Sequence, residues 1–290
     1  MQIPEIDPNE IIDFMNINSM DFGSFTLAQR IRHFETEGYV VLPGMLQTDH
    51  IDRLKAGLVD VSMRPKPYSQ YQTTAVEQPQ WTSQAVAELI GHPPMIEFLK
   101  ALMGPEIIFT RGFFQRTHPG SPGISMHTDG QPHGSSIFDY EGSSPRLLRV
   151  LYYLDDLIPQ RAPFRLIPRT HLSFHTQASP YVRYKSHPEE LTLCVKAGSA
   201  VIIPSTLFHG THPNTDSLPR EMIQFGYRPA WAGPIKPMKE WDSKLVAAAP
   251  EQAKPFLQSL NSTGNIWSLE HKPKGMSTEA TGINPSRWND

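Results

Sequence analysis

A single cysteine, Cys194, stands in 290 residues. That excludes an internal disulfide and a thiolate-bound zinc cluster, and makes a reducing compartment the simpler expectation. Within residues 191–195 it reads as a small apolar filler. No apolar run approaches the ~20 residues that a membrane-spanning helix needs, and the opening Met-Gln-Ile-Pro-Glu-Ile-Asp lacks the apolar segment of a signal peptide. The closing Ser-Arg-Trp-Asn-Asp is no peroxisomal address, so the cytoplasm is the default expectation, with no membrane partner. A basic run is also missing: 26 Lys and Arg against 29 Asp and Glu leave a net charge of -3, which speaks against nucleic acid as a partner. Charged residues at 19% and hydrophobic residues at 39% describe an ordinary globular chain rather than a disordered one. The expected partner is a small molecule; oligomeric state has no signature here.

Proline, by contrast, is plentiful. Its 28 copies are scattered without a repeat, a pattern that favours short strands and ordered loops over a helical bundle. A chain this long can bury a core without external staples, and one domain over 1–290 is expected, in four stretches. Residues 1–25 form an irregular arm, 26–104 a helical layer with one strand, 105–230 the β core, and 231–290 a C-terminal extension. Leu27, Ile31 and Phe34 at helical spacing predict a helix over 26–37 that stops at Gly38, followed by a strand over 39–42. Thr48 is placed to cap a second helix with Ile51, Leu54 and Leu58 on one face. Residues 64–80, rich in Pro, Gln and Tyr without periodicity, read as a surface connector in which the stretch from Tyr68 to Tyr71 is a candidate wall of a substrate pocket. Short helices over 83–90 and 94–103 end at Gly91 and Gly104, both suited to the left-handed conformation. From Ile107 on, β-rich runs at 107–117, 125–129, 147–154, 164–167, 191–195, 200–203, 207–210 and 220–227 follow one another without intervening helices. Such a series predicts a jelly roll or barrel rather than a parallel sheet.

The chemistry-bearing stretch is Met126-His127-Thr128-Asp129-Gly130. In an extended segment His127 and Asp129 share a face. Two imidazoles and one carboxylate on one side of a metal, with positions left open, are the donor set of non-heme Fe(II) oxygenases, and His209 is the candidate third ligand. Arg220 opens the largely apolar strand 220–227, where a planar fork of donors is suited to hold a carboxylate. A lone His-x-Asp pair is a weak motif and a lone Arg is more often a surface group; their combination carries the reading. The same three ligands also suit zinc in a hydrolase or isomerase, although Arg220 would then have no task. A catalytically silent β-barrel that binds a small molecule is the reading from another class. His133 in its Gly- and Ser-rich loop and Trp231 are further candidates to touch substrate, while His171 and His175 read as packing groups of a loop.

Taken in order, these elements resemble the phytanoyl-CoA dioxygenase family of Fe(II)- and 2-oxoglutarate-dependent oxygenases. The matching residues are Glu37-Gly38-Tyr39-Val40-Val41-Leu42-Pro43-Gly44, then His127-Thr128-Asp129-Gly130, then Arg165-Leu166-Ile167-Pro168-Arg169-Thr170-His171, then His209-Gly210-Thr211 with Asn214. Arg220 and Gly226-Tyr227-Arg228-Pro229 close the series. The resemblance implies a mainly β fold with flanking α elements, a double-stranded β-helix (jelly roll, cupin-like) core behind an N-terminal helical layer. It implies a metal triad of His127, Asp129 and His209, and Arg220 with Thr211 on the distal carboxylate of 2-oxoglutarate. Thr117 stands about where some relatives carry a Lys near this cosubstrate, which leaves Gln115, or else Arg116, to substitute. The activity implied is that of a dioxygenase using Fe(II), 2-oxoglutarate and O2, most simply a hydroxylase of an unactivated C–H bond. Asp129 favours oxygenation over halogenation, since related halogenases are expected to lack that carboxylate. Two departures stand out: Arg169-Thr170-His171 where many relatives have Gly-Ser-His, and Ala162-Pro163 in place of the usual Gly. Substrate preference is therefore not carried over.

Overall fold

The computed structural model describes residues 15–129, 146–173, 186–234, 236–264 and 285–288. Its first helix, α1 (Leu27–Glu37), begins where the side chain of Thr26 accepts from the Gln29 backbone N–H and Gln29 reaches back to Thr26, so two orphan donors of the first turn are satisfied together. Gly38, at φ 85°, ends it in the left-handed region. A Cβ there would collide with His171 Nδ1 and Leu207 Cδ1, so the motif Gly answers both to a turn and to close packing. Strand β1 (Val40–Leu42) follows, then α2 (Thr48–Ala56). Thr48 is not the cap expected of it, because Gln47 takes that position and Thr48 is already helical. Ile51 and Leu54 bury the apolar face of α2 as expected.

The largest departure is at residues 64–80. Instead of a surface connector, the chain forms the hairpin β2 (Met63–Lys66) and β3 (Ser69–Ala75). Pro, Gln and Tyr obscure the alternation that marks a strand, but β2 is an edge strand, where Pro65 forfeits no ladder bond. Buried Gln72 is satisfied through its side chain, donating to Ser121 Oγ at 3.0 Å and accepting from Thr117 Oγ1 at 2.8 Å. Two helices follow, α3 (Gln84–Leu89) and α4 (Pro93–Met103). Gly104 adopts a positive φ of 94°, but Gly91 does not; glycine is required there because a side chain would run into the Gln252 backbone.

The eight strands read from residue 107 onward are all present, as β4 (Ile107–Thr117), β5 (Ile124–His127), β6 (Leu148–Tyr153), β7 (Phe164–Leu166), β8 (Leu191–Leu193), β9 (Ala200–Pro204), β10 (His209–Thr211) and β11 (Arg220–Pro229). They form a seven-stranded sheet in the order β1-β9-β6-β11-β4-β3-β2 and a four-stranded sheet in the order β5-β10-β7-β8. Every pairing between strands is antiparallel. This is a mainly β double-stranded β-helix, the jelly roll the sequence led us to expect, with helices packed against its large sheet. The segment taken as a helical layer also gives that sheet three of its strands. Strand β6 is buried at all six positions, since the cavity lies on one of its faces and the helical side of the core on the other; such a strand reads as a continuous apolar run.

Beyond β11 the chain is tied back by Arg228. Its side chain is 1% exposed and donates to the backbone carbonyls of Pro229, Ala230, Ala232, Leu260 and Ser262. These acceptors take up both terminal nitrogens of a buried guanidinium, leaving only Nε without one, and they give the extension, which includes α5 (Ser243–Ala248), its anchor.

Candidate metal centre

His127 and His209 are direct cross-strand partners in β5 and β10, so the sheet register sets their rings side by side, with centroids 4.4 Å apart. Gly210 permits this closeness: a Cβ there would lie 2.5 Å from the Ile124 carbonyl oxygen. Each ring has Nδ1 within hydrogen-bond distance of a backbone carbonyl, Ser125 O at 2.8 Å for His127 and Leu207 O at 2.9 Å for His209. A carbonyl only accepts, so in the neutral rings Nδ1 carries the proton and each Nε2 keeps its lone pair for a ligand. Asp129 lies just past the end of β5, not within the strand, and its backbone N–H donates to Ser205 O at 2.9 Å. From there its carboxylate stands 3.5 Å from His127 Nε2 and 3.7 Å from His209 Nε2. Among the described residues these three are the only group of His, Cys, Asp or Glu with donor atoms mutually within 4.8 Å. Metal–ligand bonds of about 2.0–2.2 Å place neighbouring donors roughly 3–3.5 Å apart, so the set fits one ion with little adjustment.

The protonation states fit as well. Burial pushes the Asp129 carboxyl up, but the Arg149 guanidinium, then His209 and His127, more than reverse this and hold it well below the usual carboxylate range. Arg149 Nε is 3.3 Å from Asp129 Oδ2. Burial, then the neighbouring His127, lowers His209 to about 4 against the opposing pull of Asp129. An ionised carboxylate beside a neutral imidazole is what a divalent cation requires.

The triad opens into a cavity of about 420 Å³ between the two sheets. The inner face of the large sheet lines it in rungs fixed by register: Arg149–Gly226–Arg111, Leu151–Gln224–Phe113, Tyr153–Met222–Gln115, and finally Arg220 beside Thr117. At this last rung Arg220 is 2% exposed. Its Nη2 donates to Thr117 Oγ1 at 2.6 Å, its Cζ lies 5.6 Å from the Tyr153 ring centroid, and its Nε has no acceptor. Burial pushes its pKa down, and no carboxylate among the described residues pairs with it. On the opposite sheet the buried hydroxyl of Thr211 is also without a partner. A buried guanidinium with a free Nε–H and a buried hydroxyl without a partner, in one cavity, call for an acceptor that the described residues do not provide.

Of the residues singled out in the sequence, His127, Asp129, His209, Arg220, Thr211 and Gln115 all line this cavity. Gln115 donates to Gln224 Oε1 at 3.2 Å. Arg116 turns to the other face of β4 and pairs with Glu221 at 2.6 Å. Tyr71 and Trp231 do not line the cavity and are 37% and 44% exposed; of the stretch from Tyr68 to Tyr71 it is Tyr68, on the hairpin turn, that lines it. His133 and His175 lie outside the described residues. His171 packs against α1, with Nε2 3.1 Å from Glu35 O, and Asn214 donates to Thr117 O and Leu218 O, so both organise loops. Sequence reasoning missed Arg149, Arg111 and Lys66. Arg149 had a readable signal, a charge in the middle of the apolar run 147–154; the others had none.

A family model described as phytanoyl-CoA dioxygenase (PhyH) matches residues 34–222. Comparison with curated proteins finds no match. Among solved structures, HygX from Streptomyces hygroscopicus with nickel and 2-oxoglutarate bound is 17% identical with a TM-score of 0.60, over 77% of this chain and 94% of its own. The epimerase SnoN in complex with Fe3+, alpha ketoglutarate and nogalamycin RO is 17% identical with a TM-score of 0.60, over 82% of this chain and 96% of its own. The non-heme alpha ketoglutarate dependent carbocyclase SnoK from nogalamycin biosynthesis is 17% identical with a TM-score of 0.59, over 80% and 94%. At this identity the likeness is one of fold.

Proposed function

The chain belongs to the phytanoyl-CoA dioxygenase family, and on that premise we propose that it is a non-heme Fe(II)- and 2-oxoglutarate-dependent oxygenase that hydroxylates an unactivated C–H bond of a small organic metabolite, with 2-oxoglutarate leaving as succinate and CO2. The observation that carries this reading is the pairing of two features in one cavity. Three donor atoms converge with both Nε2 lone pairs available, and a buried arginine stands there with no ion pair to any described carboxylate. Enzymes of similar fold that hold nickel or iron with 2-oxoglutarate add support.

In this reading His127, Asp129 and His209 hold Fe(II), and Arg220 takes the distal carboxylate of 2-oxoglutarate by parallel N–H···O bonds, with Thr211 donating its hydroxyl to the same group. Gln115 lies alongside, fixed by Gln224. When bound, iron with the keto acid and O2 supplies the oxidising power for C–H cleavage. The protein's part is positional. Backbone carbonyls lock both imidazoles, Arg149 keeps Asp129 ionised, and the apolar walls at Leu151, Phe113 and Phe164 exclude water from the reacting C–H. Because SnoN is an epimerase and SnoK a carbocyclase, the outcome on such a fold follows from which C–H is presented and what stands ready to capture the carbon.

The test is anaerobic addition of Fe(II) and 2-oxoglutarate, which should give a weak visible charge-transfer band, followed by O2, which should give succinate even without substrate. Absence of both sinks the reading in favour of a zinc hydrolase or isomerase on the same ligands, or of a silent binding barrel. With substrate in hand, a product heavier by one oxygen atom identifies hydroxylation.

A further inference from the structure

Arg220 and Thr211 are not the only groups at their end of the cavity with a proton to give. Tyr153, the last residue of β6 and the cross-strand partner of Met222 on β11, is fully buried and lines the same cavity. Its ring centroid is 5.6 Å from Arg220 Cζ, close enough for the guanidinium to pull on its hydroxyl. No hydrogen bond of regular geometry forms there. A guanidinium can only donate, so Arg220 has no means of taking the Tyr153 proton.

The neighbours are committed elsewhere. Arg220 gives Nη2 to Thr117 Oγ1 at 2.6 Å, which forces that oxygen to accept and sends the Thr117 proton on to Gln72 Oε1 at 2.8 Å. Gln72 donates in turn to Ser121 Oγ at 3.0 Å. Beyond Arg220, each proton of this chain points to a residue that does not line the cavity. Asp155, whose charge Arg220 also feels, is already engaged, Oδ1 with Lys55 Nζ at 2.6 Å and Oδ2 with the Glu221 backbone N–H at 2.7 Å. Burial pushes Tyr153 up to about 12 against the opposing pull of Arg220, so at neutral pH the hydroxyl keeps its proton. Three buried donors of one cavity thus lack an acceptor: Arg220 Nε, the Thr211 hydroxyl and the Tyr153 hydroxyl. One carboxylate, with about four lone-pair sites on its two oxygens, can accept from all three.

We propose that Tyr153 is a third cosubstrate-binding group, donating its hydroxyl to the distal carboxylate of 2-oxoglutarate beside Arg220 and Thr211, and that it helps the site select keto acids that end in a second carboxylate. The proposal rests on the oxygenase reading and deepens it at one residue. A keto acid ending in a methyl group leaves all three donors stranded, and a site built to hydrogen-bond a group rejects the analogue that lacks it.

The test uses the full chain loaded with Zn(II), which permits binding without turnover, titrated calorimetrically with 2-oxoglutarate and with 2-oxopentanoate, the keto acid of equal length in which a methyl group replaces the distal carboxylate. Tyr153→Phe keeps the ring and deletes the oxygen. It should weaken 2-oxoglutarate binding by tenfold or more, the strength of one hydrogen bond to a charged group, and leave Zn(II) affinity and any binding of 2-oxopentanoate unchanged. Its ligand-free melting temperature should equal or exceed that of the parent, because the deleted hydroxyl had no acceptor to lose. A smaller loss, an equal loss for 2-oxopentanoate, or a lower ligand-free melting temperature overturns the proposal, the last by showing that the hydroxyl serves the fold. Failure of the parent protein to bind 2-oxoglutarate sinks the oxygenase reading itself, whereas a parent that binds and a Tyr153→Phe variant that binds equally well sink this proposal alone.

Discussion

Replacing Arg220 by Met separates a binding arginine from a structural one. In the ligand-free protein the guanidinium has one strong bond, to Thr117 Oγ1 at 2.6 Å, a long contact of 3.7 Å to Met222 Sδ, and an Nε with nothing to donate to. Its desolvation outweighs the opposing pull of Tyr153 and of Asp155, which forms no ion pair with it, so exchanging it for an apolar side chain of similar length removes a cost along with the one bond. The melting temperature of Arg220→Met without ligand should equal or exceed that of the parent. The bound state is different. Two N–H···O bonds to a carboxylate, at about 1.5–3 kcal/mol each for charged partners, sum to about 3–6 kcal/mol, or roughly 10²- to 10⁴-fold in Kd at 1.4 kcal/mol per decade. Calorimetric titration of the Zn(II)-loaded proteins with 2-oxoglutarate reads this directly. Thermal melting gives an independent check, because ligand at 100 times its Kd stabilises the parent by about 2.7 kcal/mol and the variant by close to nothing. A variant that binds 2-oxoglutarate within a few-fold of the parent, or whose ligand-free melting temperature collapses, would refute the assignment and make Arg220 a structural residue.

Asp129→Ala and His127→Ala should both abolish metal retention after dialysis, read as metal content by mass spectrometry. Only Asp129→Ala also strands the buried Arg149, at about 3 kcal/mol of stability, the low end for a broken buried pair because this one opens on a cavity; equal losses in denaturant melts would contradict that role for Arg149. Gly38→Ala forces a side chain into a φ of 85° and into His171 and Leu207, and should lower stability by about 1–3 kcal/mol in urea titrations while metal binding survives. Lys66 has a folded-state value of about 8, below the ordinary 10.5, chiefly through burial. Its charged form is therefore disfavoured in the folded protein below pH 8, and ligand-free stability should rise as pH climbs from 8 to 10.5. Lys66→Met should flatten that rise and melt higher than the parent at pH 7 in calorimetric scans; a lower melting temperature would mean that Lys66 is already satisfied.

The metal ligands were legible in the sequence because polar groups needed for chemistry interrupt segments that otherwise have every reason to be apolar. His127 closes β5 and His209 opens β10, and the same local backbone turn brings Nδ1 of each ring to the carbonyl two residues earlier. Neither partner could be matched to the other by spacing alone, but each strand carried its half. Arg220 was legible for the same reason. The hairpin β2–β3 was not, because its burial comes from side-chain bonds to Thr117 and Ser121, and such bonds leave no period in the chain. Edge strands buried on neither face carry the weakest pattern of all.

The cationic end of the cavity was hidden for a further reason. Lys66, Arg111 and Arg149 come from three strands, and each taken singly reads as a solvated or paired group. Only the register of β11 against β4 and β6, which sets Gly226 between Arg111 and Arg149, makes them neighbours. The jelly roll therefore presents two kinds of polar site. The metal triad is built on short-range backbone geometry, and the resemblance of motifs carries it from one relative to the next. The far rung is built on sheet register and on a hairpin turn, where substitutions cost the core little. Differences among substrates should accumulate on that rung, while the chemistry at the triad stays fixed.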